Sequence, residues 1–253
     1  TTCLRDDSAS WEPDWMIRAN RITLDRVEDV GVAYGGTLEF KGVPILPVPA
    51  ISFPLSDKRK SGLLPPTIGI DSTSGLEYSQ PYYWNIAPNR DATITPTLMS
   101  KRGVSLGTEF RYLEPNYSGV LDTLYMPDDQ LRDRDRWGYN WRHATSLDSP
   151  VGNLGLQWNI KRVSDDNYWR DFSRLPGDSN SSSTSDQRLL SIDGQLSWSS
   201  GKHRVSLDAQ KWQVLQDIDA PIAPPFNRLP QLQWNYDTTA WAAQGWDVNL
   251  MAE

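Results

Sequence analysis

Apolar and polar residues alternate with a period of two along most of this chain, and helical periodicity is almost absent. From residue 104 the even positions carry Val104, Leu106, Phe110 and Tyr112, and the odd positions between them are mostly polar. Successive side chains of a strand point to opposite faces of a sheet. The pattern therefore predicts strands with one apolar and one polar face.

The alternation predicts about eleven strands between Leu64 and Met251. Each is expected to be about 9–11 residues long, the length of a tilted strand that crosses a bilayer. The expected centres are Ile68, Tyr82, Ile94, Thr108, Thr123, Tyr139, Leu156, Ile192, Leu207, Leu232 and Trp246. The pattern is weaker near Thr123 and Leu207, where apolar residues fall out of phase.

The predicted connections alternate in length from residue 112 onward. Short turns are expected at 114–118, 147–151, 199–202 and 237–240, and long connections at 127–135, 164–187 and 216–228. Outer-membrane barrels join their strands by short turns at one end and long loops at the other. A soluble β-domain with an aromatic core stays open as the alternative on pattern alone.

The first sixty residues have a different pattern, in which a short strand precedes a longer alternating one. The apolar positions of this region are Ile22, Leu24, Val30, Val32, Tyr34, Leu38 and Phe40. We expect residues 1–54 to end a small antiparallel β-domain with one apolar face, and residues 55–253 to be barrel strands. The Pro-rich passage 42–54 is predicted to be an edge or hinge, because proline donates no ladder hydrogen bond.

Composition supports strands over helices as the membrane-spanning elements. Mean hydropathy is −0.57, and the longest apolar-rich run, 43–55, is interrupted by four prolines. A membrane-spanning helix needs about 20 apolar residues, so that class is excluded. The chain has 12 Trp and 10 Tyr against 5 Phe. Barrels carry Trp and Tyr girdles at the two interfaces. The aromatic residues that flank predicted short turns are Tyr112, Tyr117, Trp198, Trp234, Tyr236 and Trp241.

Charge and reactive residues narrow the functional classes. The net charge of −7 argues against nucleic acid as the main partner. His143 and His203 are the two histidines of the chain, and neither has a metal-site spacing. Catalytic and cofactor motifs are absent, so we predict a protein that is not an enzyme, with no cofactor and no metal site. The mixed-sign run 128–136 is interpreted as a solvated loop, with cation binding at an anionic glycolipid surface as a second hypothesis.

Two prolines fall where the first membrane strands are predicted. Pro66 lies at the start of the first strand and Pro81 within the second. Each removes a ladder hydrogen bond, and unsatisfied backbone groups that face lipid are costly. Either these are harmless strand-end prolines, or they weaken the seam to form a lateral opening beside the first strand.

The sequence around Pro81 resembles a known family. Residues 81–89 (PYYWNIAPN) and 91–96 (DATITP) closely resemble the hallmark segment of LptD, the outer-membrane lipopolysaccharide-assembly family. Further support comes from residues 57–62 (DKRKSG), 101–103 (KRG) and 109–113 (EFRYL). These motifs cover about residues 53–113, and beyond them the resemblance is one of pattern.

The resemblance implies an all-β architecture. It consists of the C-terminal end of a periplasmic β-jellyroll followed by about eleven antiparallel strands of a large transmembrane barrel, not closed by this chain alone. The family's barrel has roughly 26 strands. Because an odd number of strands leaves a lipid-exposed edge, and the chain ends without a terminal aromatic residue, we expect a piece of a longer chain.

The resemblance also implies lipopolysaccharide transport into the outer leaflet of the outer membrane. The jellyroll would receive lipopolysaccharide from the periplasmic LptA bridge, the lipoprotein LptE would plug the barrel, and the barrel-assembly machinery would be a partner during folding. Lipid A would leave through a gate weakened by Pro66 and Pro81 while the sugar chain passes through the lumen. Cys3, the one cysteine of this sequence, looks like a disulfide cysteine of the family whose partner lies outside this segment.

The expected lipid site rests on the apolar face of the first domain. The residues proposed to hold acyl chains are Ile22, Leu24, Val32, Tyr34, Leu38 and Phe40. Lys58, Arg59 and Lys60 are interpreted either as contacts to lipid A phosphates or as a plain interfacial basic cluster. The alternative function is a passive outer-membrane porin or channel. An outer-membrane hydrolase ranks third, since it needs a nucleophile and a base in the lumen.

Overall fold

The structure, a computed structural model, describes residues 15–27, 29–56, 59–172, 176–177, 188–236 and 249–252. The chain divides into two compact units. The first consists of residues 1–64 with 82–85, and the second of residues 65–81 with 86–253. Two of the three divisions therefore fall beside a proline, at Pro65 and at Pro81, and the third lies between Asn85 and Ile86.

The first unit contains an antiparallel sheet of three strands. They are β1 (Trp15–Asp25), β2 (Val30–Phe40) and β3 (Val43–Pro54), in the order β1-β2-β3. The turn between β2 and β3 contains Lys41 and Gly42, which have φ of 49° and 78°. The Pro-rich passage thus forms an outer strand of this sheet, the position in which proline is tolerated.

The remaining strands follow one another along the chain with one short helix among them. The strands are β4 (Gly62–Leu63), β5 (Thr67–Asp71), β6 (Gly75–Ser79), β7 (Tyr82–Ala87), β8 (Arg90–Met99), β9 (Gly103–Leu113), β10 (Tyr117–Asp129), β11 (Arg134–Ser149), β12 (Gly152–Val163), β13 (Leu189–Ser200), β14 (His203–Val214), β15 (Arg228–Tyr236) and β16 (Asn249–Ala252). The helix α1 (Tyr168–Asp171) lies between β12 and β13. Among the described residues, no helix has the length and apolar character needed to cross a membrane.

The second sheet runs in the order β5-β6-β8-β9-β10-β11-β12-β13-β14-β15-β16, with antiparallel neighbours. Its two outer strands, β5 and β16, are not paired with each other among the described residues. The predicted all-β fold, with an antiparallel sheet that this chain does not close, is confirmed.

The predicted strand centres agree with this sheet at most positions. One difference is the strand predicted around Tyr82, which consists of two strands, β6 and β7, separated at Gln80 and Pro81. Period-two alternation continues across that break, so the pattern gave no sign of it. The strand predicted around Trp246 lies outside the described residues apart from the four residues of β16.

The connections also follow the predicted alternation, with one exception. Residues 114–116, 150–151 and 201–202 form short turns, and residues 164–188 and 215–227 form long connections. The long loop predicted at 127–135 is wrong, because β10 extends to Asp129 and β11 begins at Arg134. A register shift between Met126 and Asp129 accommodates the extension. The turn predicted at 237–240 lies outside the described residues.

The register of the second sheet separates an apolar face from a polar one. Residues directly opposite one another on antiparallel strands share a face. One apolar row consists of Phe110, Leu121, Trp141, Ile160 and Ile192. The adjacent polar row consists of Glu109, Asp122, Asn140 and Lys161. We call the second of these faces the polar face.

The buried apolar core of the second unit lies at the end of the sheet that carries the long connections. Its buried members are Met126, Val163, Tyr168, Phe172, Leu190 and Leu215. Met126 ends the apolar part of β10 and Val163 ends β12, while Tyr168 and Phe172 come from α1 and the residue after it. Residues 168–172 of the connection between β12 and β13 are therefore packed against the sheet.

Candidate functional site

The first two strands of the second sheet are each interrupted at prolines. Pro65 and Pro66 separate β4 from β5, and Pro81 separates β6 from β7. β4 pairs with β7, while β5 pairs with β6. Both breaks fall at divisions between the two units. Proline at a break is expected, because it cannot donate a ladder hydrogen bond.

A third proline lies opposite the break at Gln80 and Pro81. The register of β6 against β8 pairs Ser79 with Thr97, and the next backbone bond runs from the Gln80 N–H to the Pro96 carbonyl, at 3.1 Å. A hydrogen-bonded antiparallel pair normally exchanges two such bonds. Proline has no N–H, so Pro96 cannot provide the second. Pro96 was not singled out from the sequence, although it ends the hallmark motif.

The ladder beside this break is short. β6 is registered against β8 through Glu77, Tyr78 and Ser79. By contrast, β13 and β14 are registered from Leu189 to Ser200 without interruption. Ser79 and Thr97 add a hydroxyl pair at 2.8 Å. β7 also pairs with β8, so the partner of β8 at this seam is divided between two strands.

The segment before β4 is fixed to β7 by hydrogen bonds. The Asn85 backbone N–H donates to Ser61 Oγ at 2.8 Å, and Asn85 Nδ2 donates to the Arg59 carbonyl at 2.9 Å. These bonds hold a backbone carbonyl within the predicted basic cluster. The side chains of Arg59 and Lys60 are exposed, and Lys58 lies outside the described residues.

The expectation that six apolar residues of the first unit share one face is wrong. The register pairs Ile22 with Ala33 and Leu24 with Gly31. Odd-numbered residues of β2 therefore lie on the face of Ile22 and Leu24. The even-numbered residues on the opposite face include Val32, Tyr34 and Leu38. Phe40, at the end of β2, is opposite Trp15 of β1. Sequence alternation fixes faces within one strand, but not the register that relates two strands.

The two faces of this sheet differ in their surroundings. On one, the Phe53 ring lies against Gly31, where a Cβ would collide with it. On the other, the guanidinium carbon of Arg21 lies 4.9 Å from the ring centre of Tyr34. Ile22 and Tyr34 are both exposed. Cys3, the predicted disulfide residue, lies outside the described residues.

The polar face of the second sheet carries hydrogen-bonded side chains across many of its strands. Arg111 donates to both carboxylate oxygens of Asp91, at 2.7 and 3.0 Å. Arg142 donates to Asp122 at 3.1 Å. Further along, Gln157, Gln195 and Asp208 form a chain of bonds at 2.6 and 2.5 Å. Such a face suits hydrophilic contents rather than lipid.

At the long-connection end, charged side chains are buried together. We call them the ion-pair cluster; its members are Arg102, Asp129, Arg132, Arg136, Asp165 and Asp171. Arg102 and Arg136 are among the largest fully buried side chains of the described residues. Asp129 is 0% exposed. The interpretation of 128–136 as a solvated loop is therefore wrong for Asp129 and Arg136, which are buried, while most of the other residues of this run are exposed.

Asp129 and Asp171 are the two acceptors at the centre of the ion-pair cluster. Asp129 Oδ2 accepts from Arg102 Nη1 at 2.6 Å and from Arg136 Nη1 at 3.0 Å. Asp171 accepts two bonds from Arg132, at 2.8 and 2.9 Å, and one from Arg136 at 2.8 Å. Arg102 Nη2 lies 3.0 Å from Asp171 Oδ1. Arg136 Nε lies 2.6 Å from Asp165.

These contacts and the burial around them shift the pKa values of two side chains of α1. Burial opposes ionisation of Asp171, but hydrogen bonds from Arg132 and Arg136, with the charge of Arg102, lower its pKa to about 2. Burial raises the pKa of Tyr168, the neighbouring helix residue in the apolar core. Asp171 therefore stays charged throughout the physiological pH range. Groups of His, Cys, Asp and Glu able to hold a metal ion are not found in the part of the chain that the structure describes.

Comparisons with known proteins agree with this architecture. Residues 134–253 match the family model LptD, described as LPS transport system D. An LPS-assembly protein LptD of Acidovorax sp. (strain JS42) is 63% identical over 254 residues, which is 100% of this chain. The chain belongs to the LptD family. The matched residues begin at the start of β11, so this match does not include the motif around Pro81.

Other members of the LptD family are similar at lower identity. The LPS-assembly protein LptD of Bordetella pertussis (strain Tohama I) is 45% identical over 87% of this chain. That of Cupriavidus necator (strain ATCC 17699) is 42% identical over 100% of it. The chain spans between 27% and 31% of the length of these three relatives.

Proposed function

We propose that this chain is part of a machine that moves lipopolysaccharide into the outer leaflet of the outer membrane. Membership of the LptD family, whose relatives bear the name LPS-assembly protein, is the observation that supports it most strongly. The protein performs transport and assembly and is not an enzyme. The passive channel is the competing function, and the two differ in whether lipopolysaccharide is bound.

Residues 55–253 form the first strands of an outer-membrane barrel, and residues 1–54 form the end of a periplasmic jellyroll. Support comes from the separation of apolar and polar faces across the second sheet. The alternation of short turns with long connections supports the same placement. The short turns then lie on the periplasmic side.

The lateral gate lies at the first strands, where Pro66 and Pro81 interrupt the ladder. Pro96 belongs to the same seam, because its carbonyl accepts the Gln80 N–H while its own nitrogen has no hydrogen to donate to the ladder. A barrel seam with fewer hydrogen bonds opens at lower cost than the continuous ladders beside it. Acyl chains leave through this seam, and the saccharide follows the polar face inside the barrel.

Acyl chains travel on the face of the jellyroll sheet that carries Val32, Tyr34 and Leu38, with Phe40 expected to continue it. Ile22 and Leu24 lie on the other face of the same sheet. They are the positions at which we expect no contact with acyl chains. Tyr34 is 39% exposed, so a ligand reaches it without disruption of the sheet.

Further contacts follow from the family. Lys58, Arg59 and Lys60 meet lipid A phosphates, and Cys3 forms a disulfide with a cysteine outside this segment. LptA delivers lipopolysaccharide on the periplasmic side, LptE occupies the barrel, and the barrel-assembly machinery inserts it.

A photocrosslinking residue tests this function in the full-length protein in cells. Placed at Tyr34, it should crosslink to lipopolysaccharide upon irradiation. The same residue at Ile22, on the opposite face, should give at least several-fold less product. Crosslinking at neither position, together with ion conductance by the purified protein that lipopolysaccharide does not alter, would support the passive channel instead.

A further inference from the structure

Two basic side chains lie on the apolar face of the second sheet. Arg162 is opposite Tyr139 and two residues from Ile160, which belongs to the apolar row. Lys211 is directly opposite Ile192, another member of that row. Both basic side chains are exposed. Lys211 interrupts the apolar alternation of β14, and the register shows that it stays on the apolar face.

Neither of these cations is balanced by a carboxylate. On the polar face, by contrast, Arg142 binds Asp122. Within the part of the chain that the structure describes, the side chains of Arg162 and Lys211 form no ion pair and no hydrogen bond. A basic side chain on the lipid-facing surface of a barrel is costly at the middle of the bilayer and much less so near an interface. Both side chains are therefore available to an anion that the membrane supplies.

A side-chain amide holds together the strands that carry the two cations. The register of β12 against β13 ends at Ile160. Beyond it, the Val163 backbone N–H donates to Gln213 Oε1 at 3.1 Å, and Gln213 Nε2 donates to the Val163 carbonyl at 2.8 Å. The Gln213 amide thus acts as a ladder partner and joins β12 to β14. Arg162 precedes Val163, and Lys211 lies two residues before Gln213, so the bridge keeps the two cations on neighbouring parts of one surface.

The surroundings of the two cations place them near the border of the lipid-facing band. Trp137 and Tyr139 are stacked with their ring centres 5.9 Å apart, and Trp137 is exposed. Aromatic girdles of this kind border a band about 25 Å tall. Lys211 lies eight residues after His203, where β14 begins at a short turn. That separation corresponds to roughly 20 Å across the membrane for a strand tilted by about 40°. Lys211 and Arg162 are thus at the depth of the lipid head groups on the long-connection side.

A row of small residues lies next to Lys211 toward the middle of the sheet. Trp158, Gly194 and Ala209 are opposite one another in this row, and Ala209 is two residues from Lys211. No described atom lies within 4 Å of a Cβ placed at Gly194. The Trp158 ring is stacked on His143 with the centres 4.1 Å apart, and so lies toward β11. The row is therefore a shallow apolar groove that is wide enough for an acyl chain.

We propose that Arg162 and Lys211 bind the phosphate group of a lipid in the outer leaflet, whose acyl chain lies over Gly194 and Ala209. The inference rests on the proposed function, because only in a barrel does the apolar face meet lipid. Guanidinium and ammonium groups donate charge-assisted hydrogen bonds to phosphate oxygens. Lipid A, the lipid that the proposed machine delivers to this leaflet, supplies both the phosphates and the acyl chains.

A photocrosslinking residue in place of Tyr139, opposite Arg162, reports on this site in the purified full-length protein with lipid A in detergent. Arg162→Gln with Lys211→Gln should lower the apparent affinity for lipid A at this position by roughly tenfold. Arg26→Gln with Lys202→Gln removes the same charge from two exposed turns and should have no effect. Equal crosslinking in the two double variants would overturn the site.

Two further probes identify the ligand. Dephosphorylated lipid A should give roughly tenfold less product than lipid A, and equal product would overturn the role of phosphate. Excess inorganic phosphate should leave the product unchanged, because it has no acyl chain. If it abolishes the product, the site takes free phosphate and the lipid assignment fails.

The crosslink at Tyr34 separates this site from the proposed function. If Tyr34 crosslinks to lipopolysaccharide in cells and the Tyr139 position gives no product with lipid A, the site is overturned and the transport function stands. If the Tyr139 position gives the expected product and Tyr34 gives none, the proposed acyl-chain route fails and the lipid site is supported.

Discussion

Gln80 donates its backbone N–H to the Pro96 carbonyl at 3.1 Å, and Pro96 has no N–H to donate in return. This bond lies beside Pro81, where the second strand is divided into β6 and β7. Each side of the seam therefore contains a proline that cannot donate a ladder hydrogen bond: Pro81 in the divided strand and Pro96 in β8 opposite it. The weakness of the seam is shared by residues on both strands.

Pro96→Val should add a backbone N–H donor to β8 opposite Gln80. Valine has an N–H and a high preference for strands, so we expect a gain of about 0.5–1.5 kcal/mol in the free energy of opening at this seam. Hydrogen exchange of residues 75–87 in the full-length protein measures it. Thr108→Val, in the middle of a continuous ladder, is the control and should leave that exchange unchanged. Faster exchange in Pro96→Val would contradict this account of the break.

The pKa of Asp171 predicts how the cap, which we define as residues 164–172 with Pro176 and Gly177, responds to acid. A carboxyl whose pKa is lowered on folding contributes stability above its unfolded pKa and loses it as the pH falls through the folded pKa. With a usual value of 3.8 and a folded value of about 2, the cap should keep constant protection from pH 7 to about pH 4. Between about pH 4 and pH 2, protection from Asp171 should fall by roughly twenty-fold.

Hydrogen exchange of residues 164–172, corrected for the intrinsic rate at each pH, measures this response. The charged groups that face Asp171 from the packed elements are Arg102, Arg132, Arg136, Asp129 and Asp165. Asp171→Asn removes the titrating group, and the difference between it and wild type isolates the contribution of Asp171. Loss of protection already between pH 6 and pH 5 in wild type alone would show that the ion pairs do not hold the cap.

Gly177 is predicted to be a position that tolerates no side chain. Its φ is +78°, and a Cβ would collide with Asn140. Gly177→Ala should therefore destabilise the closed cap by about 1–3 kcal/mol. Gly194→Ala is a matched control, because its φ is not positive and no atom lies within 4 Å of the added Cβ. Proteolysis of the cap in membranes measures both, and equal cleavage rates would refute the close approach to the polar face.

Much of the second sheet follows from alternation alone, because the two faces of each strand have different surroundings. Alternation alone could not predict the division at Gln80 and Pro81, since apolar and polar positions stay in phase across it; the signal was Pro81 itself, which cannot donate a ladder hydrogen bond. Nor could it predict the face shared by Ile22 and Ala33, which depends on how β1 and β2 are registered.

The ion-pair cluster also could not be predicted from neighbouring residues in the sequence. Arg132 and Arg136 lie in a run of mixed charge that is typical of a solvated loop. Their burial depends on Asp171, which is distant along the chain. A buried arginine is stable only where its partner is also buried, and this is a property of the tertiary fold.

Surface lipopolysaccharide in cells that carry Pro66→Ala with Pro81→Ala tests the central proposal most directly. The account predicts that the tighter seam slows delivery of lipopolysaccharide to the outer leaflet, at unchanged levels of folded protein in the membrane. A double alanine substitution at Pro127 and Pro230, outside the first strands, serves as the control and should deliver normally. Unchanged surface lipopolysaccharide in the Pro66→Ala, Pro81→Ala variant would contradict the gate.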